Sequence, residues 1–599
     1  MTRVLDPARG VKPLDFGGDG ITGSVDINGR LIALNAFHPQ EGYVTFTVAP
    51  PFTEKDRYDQ KAVRAYRAGL AILTGFGPVF EAPVQSREVR LLGDAIPQIH
   101  LELEGVGSAT TTILALQGGV IQRWDFRGVT PLWQGKVAVQ RAAYSQLTEG
   151  GPLPPTQVKS KLNIGAGLMT LTNPAIQATA AIAGFSDATG QPSQETDGPI
   201  DLTLSSESRS SIFLSYGLAR DEHEAVSTAR QLQRYANPEA FDALLQHVIS
   251  EWQQSWQGVP DDLILRRALL YGQMMAVPVM DEATCILTDH MLLPLSWNRD
   301  GYFVVDALVR WKKTHLETMR RHLKWIFEVA EHPNYEWGRC YLASGQQKDS
   351  AYQLDQQLFP LLELAEYTVM TDDESFVEYT QPVMDALLKR RTGSAWLFPT
   401  EETPADDPVT YPYHFSSHLL LWHTLQRLAA IVPAYRELSR WVYRDIQRHF
   451  VVQREGKKLF AYAVDGQGNA NFYHDANDVP LALASLWGFT TVDDPVWQDT
   501  VDFAFSPANE GGYYGDGYLG SVHTRAPWPL GDGQRLLIGR LLGNHEIETQ
   551  ALNHLRKAAQ WDGALSEAYD ATTFDVVSRH WFAWPNALYA GLQLEGVRA

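Results

Sequence analysis

Trp297, Arg299 and Asp300 stand together in the run LPLSWNRDGYFVVD, from Leu293 to Asp306. An aromatic face, a guanidinium fork and a carboxylate suit a sugar ring, whose CH groups pack on an aromatic while adjacent hydroxyls take bidentate bonds from charged groups. Similar polar clusters recur downstream. They are YQLD with Asp355, PTEETPADD with Asp406 and Asp407, YHDAND with Asp475 and Asn477, GSVHTRAPW with His523 and Trp528, and SEAYD with Glu567 followed by SRHW with Trp581. Cleaving a glycosidic bond needs a proton for the leaving oxygen and, with inversion, a second carboxylate that activates water on the opposite ring face. Those carboxylates must come from different loops. An Arg-Asp pair beside a core Trp is also an ordinary surface arrangement, so placement decides between the two readings.

Apolar residues at helical spacing set that placement. From Asp261 onward about twelve helical segments follow one another, near 262–277, 301–312, 316–330, 351–370, 374–390, 414–430, 433–450, 478–488, 495–503, 528–542, 546–560 and 580–594. Twelve helices in sequence predict six hairpins closed into an (α/α)6 toroid spanning residues 259–599. The polar clusters precede only the even-numbered helices, which in such a ring form the inner layer and point the same way. Six loops then meet at one mouth, with unpaired helix N–H groups around it. The competing reading is six unrelated helix caps, since Asp and Asn are common cap residues. The opposite end of the ring is expected to be filled by packed inner helices.

The first 220 residues read differently. Alternating runs at Ile21 to Ile27 and Arg30 to Phe37 flank Asn28-Gly29, a strong hairpin signal, and further runs lie at Tyr43 to Val48, Ile99 to Leu103, Thr111 to Leu116, Val120 to Phe126 and Leu168 to Leu171. An antiparallel β-sandwich is expected, with GGPLPPT, Gly150 to Thr156, as a loop within it. Nothing in this half clusters into chemistry. Helical spacing of Ala225, Ala229, Leu232, Phe241, Leu244, Leu245, Val248 and Trp252 predicts a helical linker over 221–258. The fold class is therefore multi-domain α and β: sandwich, helical linker, toroid.

With 50 Lys+Arg against 70 Asp+Glu the net charge is −20, which disfavours nucleic acid or an anionic membrane as partner. No apolar run approaches the roughly 20 residues of a membrane span. The start MTRVLDPARG lacks a signal-peptide stretch, and the two cysteines, Cys285 and Cys340, make no disulfide framework. A reduced, cytoplasmic protein is expected. No CxxC, HExxH, EF-hand, Walker or dinucleotide motif occurs, and His474 with Asp475 and Asp478 is too sparse for a metal site, so no metal or cofactor is expected. The oligomeric state is not legible.

Several motifs carry a family resemblance. YHDANDVP resembles the DDANVP segment of glycoside hydrolase family 125, the metal-independent exo-acting α-mannosidases, and GSVHTRAPWPL resembles its GSPHT followed by WPL. PADDPVTYPY is similar to PSDDACKYGY, QLDQQLFPLLELAEY to ELDSLCYPIRLAY, and SEAYD with RHWFAWPNALY to HESFD with RPWFAWANSLF. The resemblance covers roughly Leu292 to Tyr589. More loosely, HFSSHLLLWHTLQRL resembles a stretch of the bacterial glucoamylases, which also place a β-sandwich before the toroid.

The resemblance implies an inverting exo-α-glycosidase. It makes Glu567 the general base. It places the general acid in the PADD pair, Asp407 by counting along the glucoamylase stretch, with Asp406 as the alternative. Arg299 and Asp300 match a pair that holds hydroxyls of the terminal sugar; Trp297, Trp528, Trp581 and Trp584 are candidate platforms, and Asp355, Asp475, Asn477 and His523 line the same pocket. The partner is an oligosaccharide or glycoside. Departures bear on the sugar: Ser566 stands where the family has a sugar-contacting His, and WLRDS has become WNRDG. An α-mannosidase is expected first and an α-glucosidase second. A glycoside phosphorylase would lack the carboxylate at 567 and show a basic anion pocket, and a non-catalytic sugar-binding protein would have lost one of the two carboxylates.

Overall fold

A computed structural model describes the chain apart from residues 1, 10–11, 52–58, 117, 142–157, 186–192, 206–208, 281 and 596–599. The GGPLPPT loop, 150–156, falls outside the described residues.

The first part consists of two antiparallel sheets. One has ten strands, in the order Thr2–Leu5, Val84–Leu92, Ile96–Leu103, Gly107–Leu116, Gly119–Arg127, Ser211–Ala219, Ala178–Ala183, Leu168–Asn173, Lys159–Gly165 and Gln194–Asp197. The other has seven, with Ile200–Ser205, Leu132–Arg141, Gly42–Thr47, Leu31–His38, Ile21–Val25 and Leu14–Gly18 in line and Gly77–Val79 paired to Leu132–Arg141. Alternation along the strands sends one set of side chains inward. Val89, Ile99 and Ile113 of the large sheet thus share a core with Leu34, Phe46 and Val139 of the smaller one, and within it Trp124 meets Trp133 edge to face at 6.2 Å. The Asn28-Gly29 hairpin forms as its residues dictate. Asp26 accepts hydrogen bonds from the Asn28 and Arg30 amides, and Gly29 takes a φ of 77°, a conformation that favours glycine.

Between two of these strands runs a helix that alternation in the surrounding sequence does not reveal, Gln60–Leu70, with Asp59 accepting from the Lys61 and Ala62 amides at its start.

Two helices follow the sheets, Glu222–Leu232 and Pro238–Ser255, started by Asp221 and Asn237 caps. They are not a loose tether. Ala225 and Ala229 pack on Ala181 and Ala183, while Phe241 and Leu245 join Leu114, Ile121 and Phe213 in a core that runs on into the helical part.

Among the described residues twelve helices then succeed one another, close to the segments expected. Six of them, Asn298–Trp311, Leu354–Thr371, Phe415–Leu428, Val479–Leu483, Pro529–Leu541 and Ala583–Glu595, touch in cyclic order, the last packing on the first. The other six, Leu263–Met275, Leu316–Lys324, Thr380–Arg390, Tyr435–Phe450, Pro495–Ala504 and His545–Ala558, pack outside this ring. Val479–Leu483 is shorter than its pattern suggests. Winding continues past it, with the Trp487 amide on the Leu483 carbonyl at 2.9 Å, until Gly488 turns left-handed at φ 78° and ends it.

The far end of the ring is not solidly filled. A cavity of about 320 Å³ lies there, lined by Tyr302, Asp306, Arg310, Glu366, Arg427 and Trp487 among others. Phe303 and Phe359 border both this cavity and a small void on the site side of the ring. The closed floor that packing alone was expected to make is therefore an aromatic partition with space beneath it. Among the described residues no helix is long and apolar enough to cross a membrane, and Cys285 and Cys340 are buried free thiols.

Candidate active site

The inner helices begin without side-chain caps where the polar clusters lie. Asp262, Asp494 and Asn544 cap outer helices in the ordinary way, whereas Trp297, Gln353, Asp478 and Trp528 sit at inner cap positions and make no capping bond. At another inner helix His414 accepts from the Ser417 amide, and of the outer helices those after His315, Tyr379 and Ala434 also lack a capping bond. Asp300 and Asp355 lie three and two positions past Trp297 and Gln353, in the first turn. The clusters are thus not explained as caps.

Arg299 is their hub. Its guanidinium reaches Asp355 at 2.7 Å, Asp406 at 3.4 Å and Asp300 at 3.8 Å, takes the Gln353 side-chain oxygen at 3.3 Å and lies 4.9 Å over the face of Trp584. Burial alone would lower its pKa, but the charges on Asp355, Asp406 and Asp300 outweigh that and raise it. Asp300 moves the other way: burial raises it to about 6, only partly offset by Arg299. Removing Arg299 would leave buried carboxylates unpaired, a loss of about 3–5 kcal/mol.

The pocket around this hub is bordered by Trp297, Arg299, Asp300, Asp406, Asn477, His523, Trp528, Glu567 and Trp584, with Arg579 and Phe582. Five of the six inner loops contribute directly. The sixth enters through Asp355 and Gln353, which hold Arg299. As it stands the inner space is about 50 Å³, room for a water or two. It adjoins a much larger cavity of about 690 Å³, and Arg67, His523 and Arg579 border both. A ligand as large as a six-membered ring would therefore have to span the boundary or displace one of these three side chains.

Glu567 is almost fully buried. Its two carboxylate oxygens face Arg579 and the Thr524 hydroxyl, each at 3.5 Å, and its amide donates to the Arg579 carbonyl at 3.0 Å. Both side-chain contacts are long, so the carboxylate remains open to a water. Asp406, at a left-handed φ of 63°, accepts from Gln353 at 2.6 Å and from Arg299 through the same oxygen. Asp407 lies one position behind the pocket wall. One of its oxygens pairs with His523 Nδ1 at 3.2 Å, and the other is buried without a hydrogen-bond partner. The surrounding protein would by itself depress His523, but the bond to Asp407 and the charge of Glu567 carry its pKa up to about 9. The Trp297 indole N–H is likewise buried and unpartnered, beside the pocket.

Two expected residues lie elsewhere. Asp475 stands behind Asn477, accepting from its side-chain amide at 2.7 Å and from the Tyr473 hydroxyl at 2.5 Å, and burial together with the Asp478 charge raises it to about 6. Trp581, expected as a platform, borders the outer cavity only. Its indole N–H donates to Asp15 of the sheet region at 3.0 Å, with Lys12 5.7 Å from its ring, so Asp15 turns it away from the inner pocket. Trp584 has the place beneath Arg299 instead. Ser566 is buried and donates to the Ala568 carbonyl at 3.3 Å.

Arg579, Gln353, Phe582 and Arg67 were not expected. The SRHW and YQLD runs could have flagged the first two as charged or amide neighbours of cluster residues. Arg67 carries no sequence signal, because it belongs to Gln60–Leu70 and is brought to the pocket only by the fold.

Residues 367–594 match the family model described as metal-independent alpha-mannosidase (GH125). The C-terminal part of the chain carries the match to GH125. The matched span takes in Asp406, Asp407, Asn477, His523 and Glu567, while Trp297, Arg299, Asp300 and Asp355 precede it. The Meiotically up-regulated gene 157 protein of Schizosaccharomyces pombe is 29% identical over 210 residues, 32% of this chain and 40% of that protein's length. The chain thus spans well under half of that relative.

Among solved structures, the bacterial glucoamylase complexed with acarbose is similar over 99% of this chain and 98% of its own, at 12% identity and a TM-score of 0.66. A Streptococcus pneumoniae protein of the metal-independent alpha mannosidase family, in a non-productive complex with alpha-1,6-mannobiose, is similar over 59% of this chain and 98% of its own, at 20% identity and a TM-score of 0.50. The GH125 likeness thus leaves a large part of the chain uncovered, whereas the glucoamylase likeness of fold takes in the sheets as well.

Proposed function

We propose that the chain is an inverting, exo-acting α-glycoside hydrolase, an α-mannosidase by preference. In this reading residues 1–220 are a β-sandwich domain, 221–258 a helical linker and 259–599 the catalytic (α/α)6 toroid. The observation that carries it is the convergence of Glu567 with the Arg299-centred carboxylates on one pocket, with Glu567 and Asp406 inside the span that matches GH125.

Glu567 acts as general base, taking a proton from the attacking water while Arg579 and Thr524 orient it. Asp407 is the general acid, working with His523. Asp406 is bound by Arg299 and Gln353, which suits it to accepting a sugar hydroxyl. The buried second oxygen of Asp407 has no hydrogen-bond partner among the described residues, which leaves it for the leaving oxygen. Arg299, Asp300 and Asn477 hold hydroxyls of the terminal ring, with Trp297, Trp528 and Trp584 as its apolar walls. A pocket bordered on the ring axis by Phe303 and Phe359 admits a chain end, which supports release of one monosaccharide per event. Buried polar groups left unpaired by a missing or inverted hydroxyl give strong selection between epimers.

Ser566, turned to the backbone where the resembling family has a His, favours a second reading in which the terminal sugar is glucose. Proton NMR of the first product from α-linked mannosides and glucosides tests all three elements. The expected product is a monosaccharide appearing first as the β-anomer. The α-anomer would remove inversion, early internal fragments would remove exo action, and release from glucosides alone would move the enzyme to the second reading.

A further inference from the structure

The outer cavity, of about 690 Å³, has an unusual border. It is formed by Arg64, Arg67, Arg525, Arg579, His523 and His580 with small, apolar and hydroxyl residues, and among the described residues no Asp or Glu borders it. That is unexpected in a chain of net charge −20. Three of the cations are already engaged: Arg67 has a partner of its own, Arg579 pairs with Asp289 at 3.1 Å and Glu567 at 3.5 Å, and His523 pairs with Asp407. Burial lowers His580 to about 4, so it is neutral at pH 7. Arg64 and Arg525 are different. Both are exposed, and neither makes an ion pair among the described residues.

The cations come from three places in the chain: the Gln60–Leu70 helix of the sheet region, the 522–525 loop and the 576–581 segment. Holding several guanidinium groups around one space without a carboxylate raises the potential there, because like charges crowd together. Such an arrangement is stabilised when an anion enters. The cavity adjoins the inner pocket through Arg67, His523 and Arg579, on the side where Asp407 and His523 stand. Resting on the hydrolase reading, this is the side of the leaving group.

We propose that the outer cavity binds an anionic leaving group: the glycoside cleaved carries a carboxylate or a phosphate ester on the unit next to the scissile bond. Guanidinium forks match both anions in a bidentate way. Arg64 and Arg525 supply the recognition, and Arg67 bridges the two spaces.

The experiment uses the full chain as Glu567→Gln, so that bound glycosides persist, and measures by calorimetry the binding of 4-carboxyphenyl and 4-carbamoylphenyl glycosides, each as the α-mannoside and the α-glucoside. These probes differ in little but the charge. The carboxylate should bind about tenfold more tightly at low salt, and the advantage should shrink as salt shortens the screening length. In the Arg64→Gln/Arg525→Gln pair the ratio should fall towards one. Equal binding, no binding of either probe, or a ratio unchanged in that pair overturns the inference. Cleavage by the wild-type chain is read separately: a retained binding preference without cleavage overturns the hydrolase reading and not the anion site. Production of a sugar 1-phosphate from inorganic phosphate would move the anion from leaving group to attacking group, and so overturn the proposal as well.

Discussion

His523 Nδ1 lies 3.2 Å from a carboxylate oxygen of Asp407, and that contact with the charge of Glu567 favours the protonated imidazole. His523 titrates near 9, so the imidazole keeps that proton below pH 9 and loses it above. If this proton is the one delivered to the leaving oxygen, kcat/KM falls as pH rises through about 9. In His523→Gln the titrating imidazole is gone, and the alkaline limb near 9 should disappear. A pH–rate profile unchanged by this substitution would detach His523 from the acid.

Glu567→Gln and Asp407→Asn should each lower kcat by about 10²- to 10⁴-fold, the size of a general acid or base contribution. The fold should persist, because neither residue is held by a short internal bond. Asp406→Asn should act chiefly on KM, since that carboxylate is tied to Arg299 and Gln353. If it lowers kcat further than Asp407→Asn does, the acid moves by one residue.

Lys12 joins the sheet region to the ring. Its ammonium is buried between Asp15 at 2.6 Å and Asp562 at 2.7 Å. Among the described residues Lys12→Met leaves Asp15 with only His290 at 3.5 Å and Asp562 with only Arg267 at 3.6 Å as cationic partners, and should cost up to about 3–5 kcal/mol in a denaturant titration. Burial tends to raise the Asp15 pKa, but Lys12 and His290 hold it well below the usual carboxylate range. A lowered folded-state pKa gives stability that is complete above the unfolded value of about 3.9 and is lost as pH falls. Acid unfolding should therefore begin at higher pH in the variant, followed by circular dichroism.

Activity should survive EDTA. Among the described residues no group of three His, Cys, Asp or Glu is placed to hold a metal ion. Loss of activity on chelation, restored by calcium or zinc, would reveal a metal requirement.

Much of this architecture was legible because its signals are local. Apolar spacing located the twelve helices to within several residues, and the alternation of Ile21–Val25 and Leu31–His38 around Asn28-Gly29 located a hairpin. The even-numbered loops could be assigned to one mouth by counting. What stayed hidden depends on contacts between distant segments. Arg67 reads as an ordinary helical arginine until the fold sets its helix beside the pocket. Trp581 and Trp584 are three positions apart and indistinguishable by type, yet Asp15 holds one at the domain boundary and Arg299 covers the other. Asp406 and Asp407 are adjacent and alike, and only their partners separate their roles.

The Trp581 indole and the Asp15 carboxylate are 566 positions apart, and Ala583–Glu595 closes the ring by packing on Asn298–Trp311. Contacts of such separation form late, because much chain must be ordered before they repay its loss of freedom. During synthesis the growing polypeptide already has Arg299, Asp355 and Asp406 while Glu567 and the closing helix are still to come. The nascent chain therefore lacks both Glu567 and the seam of its ring, and its unfinished helices expose apolar faces until the last one arrives.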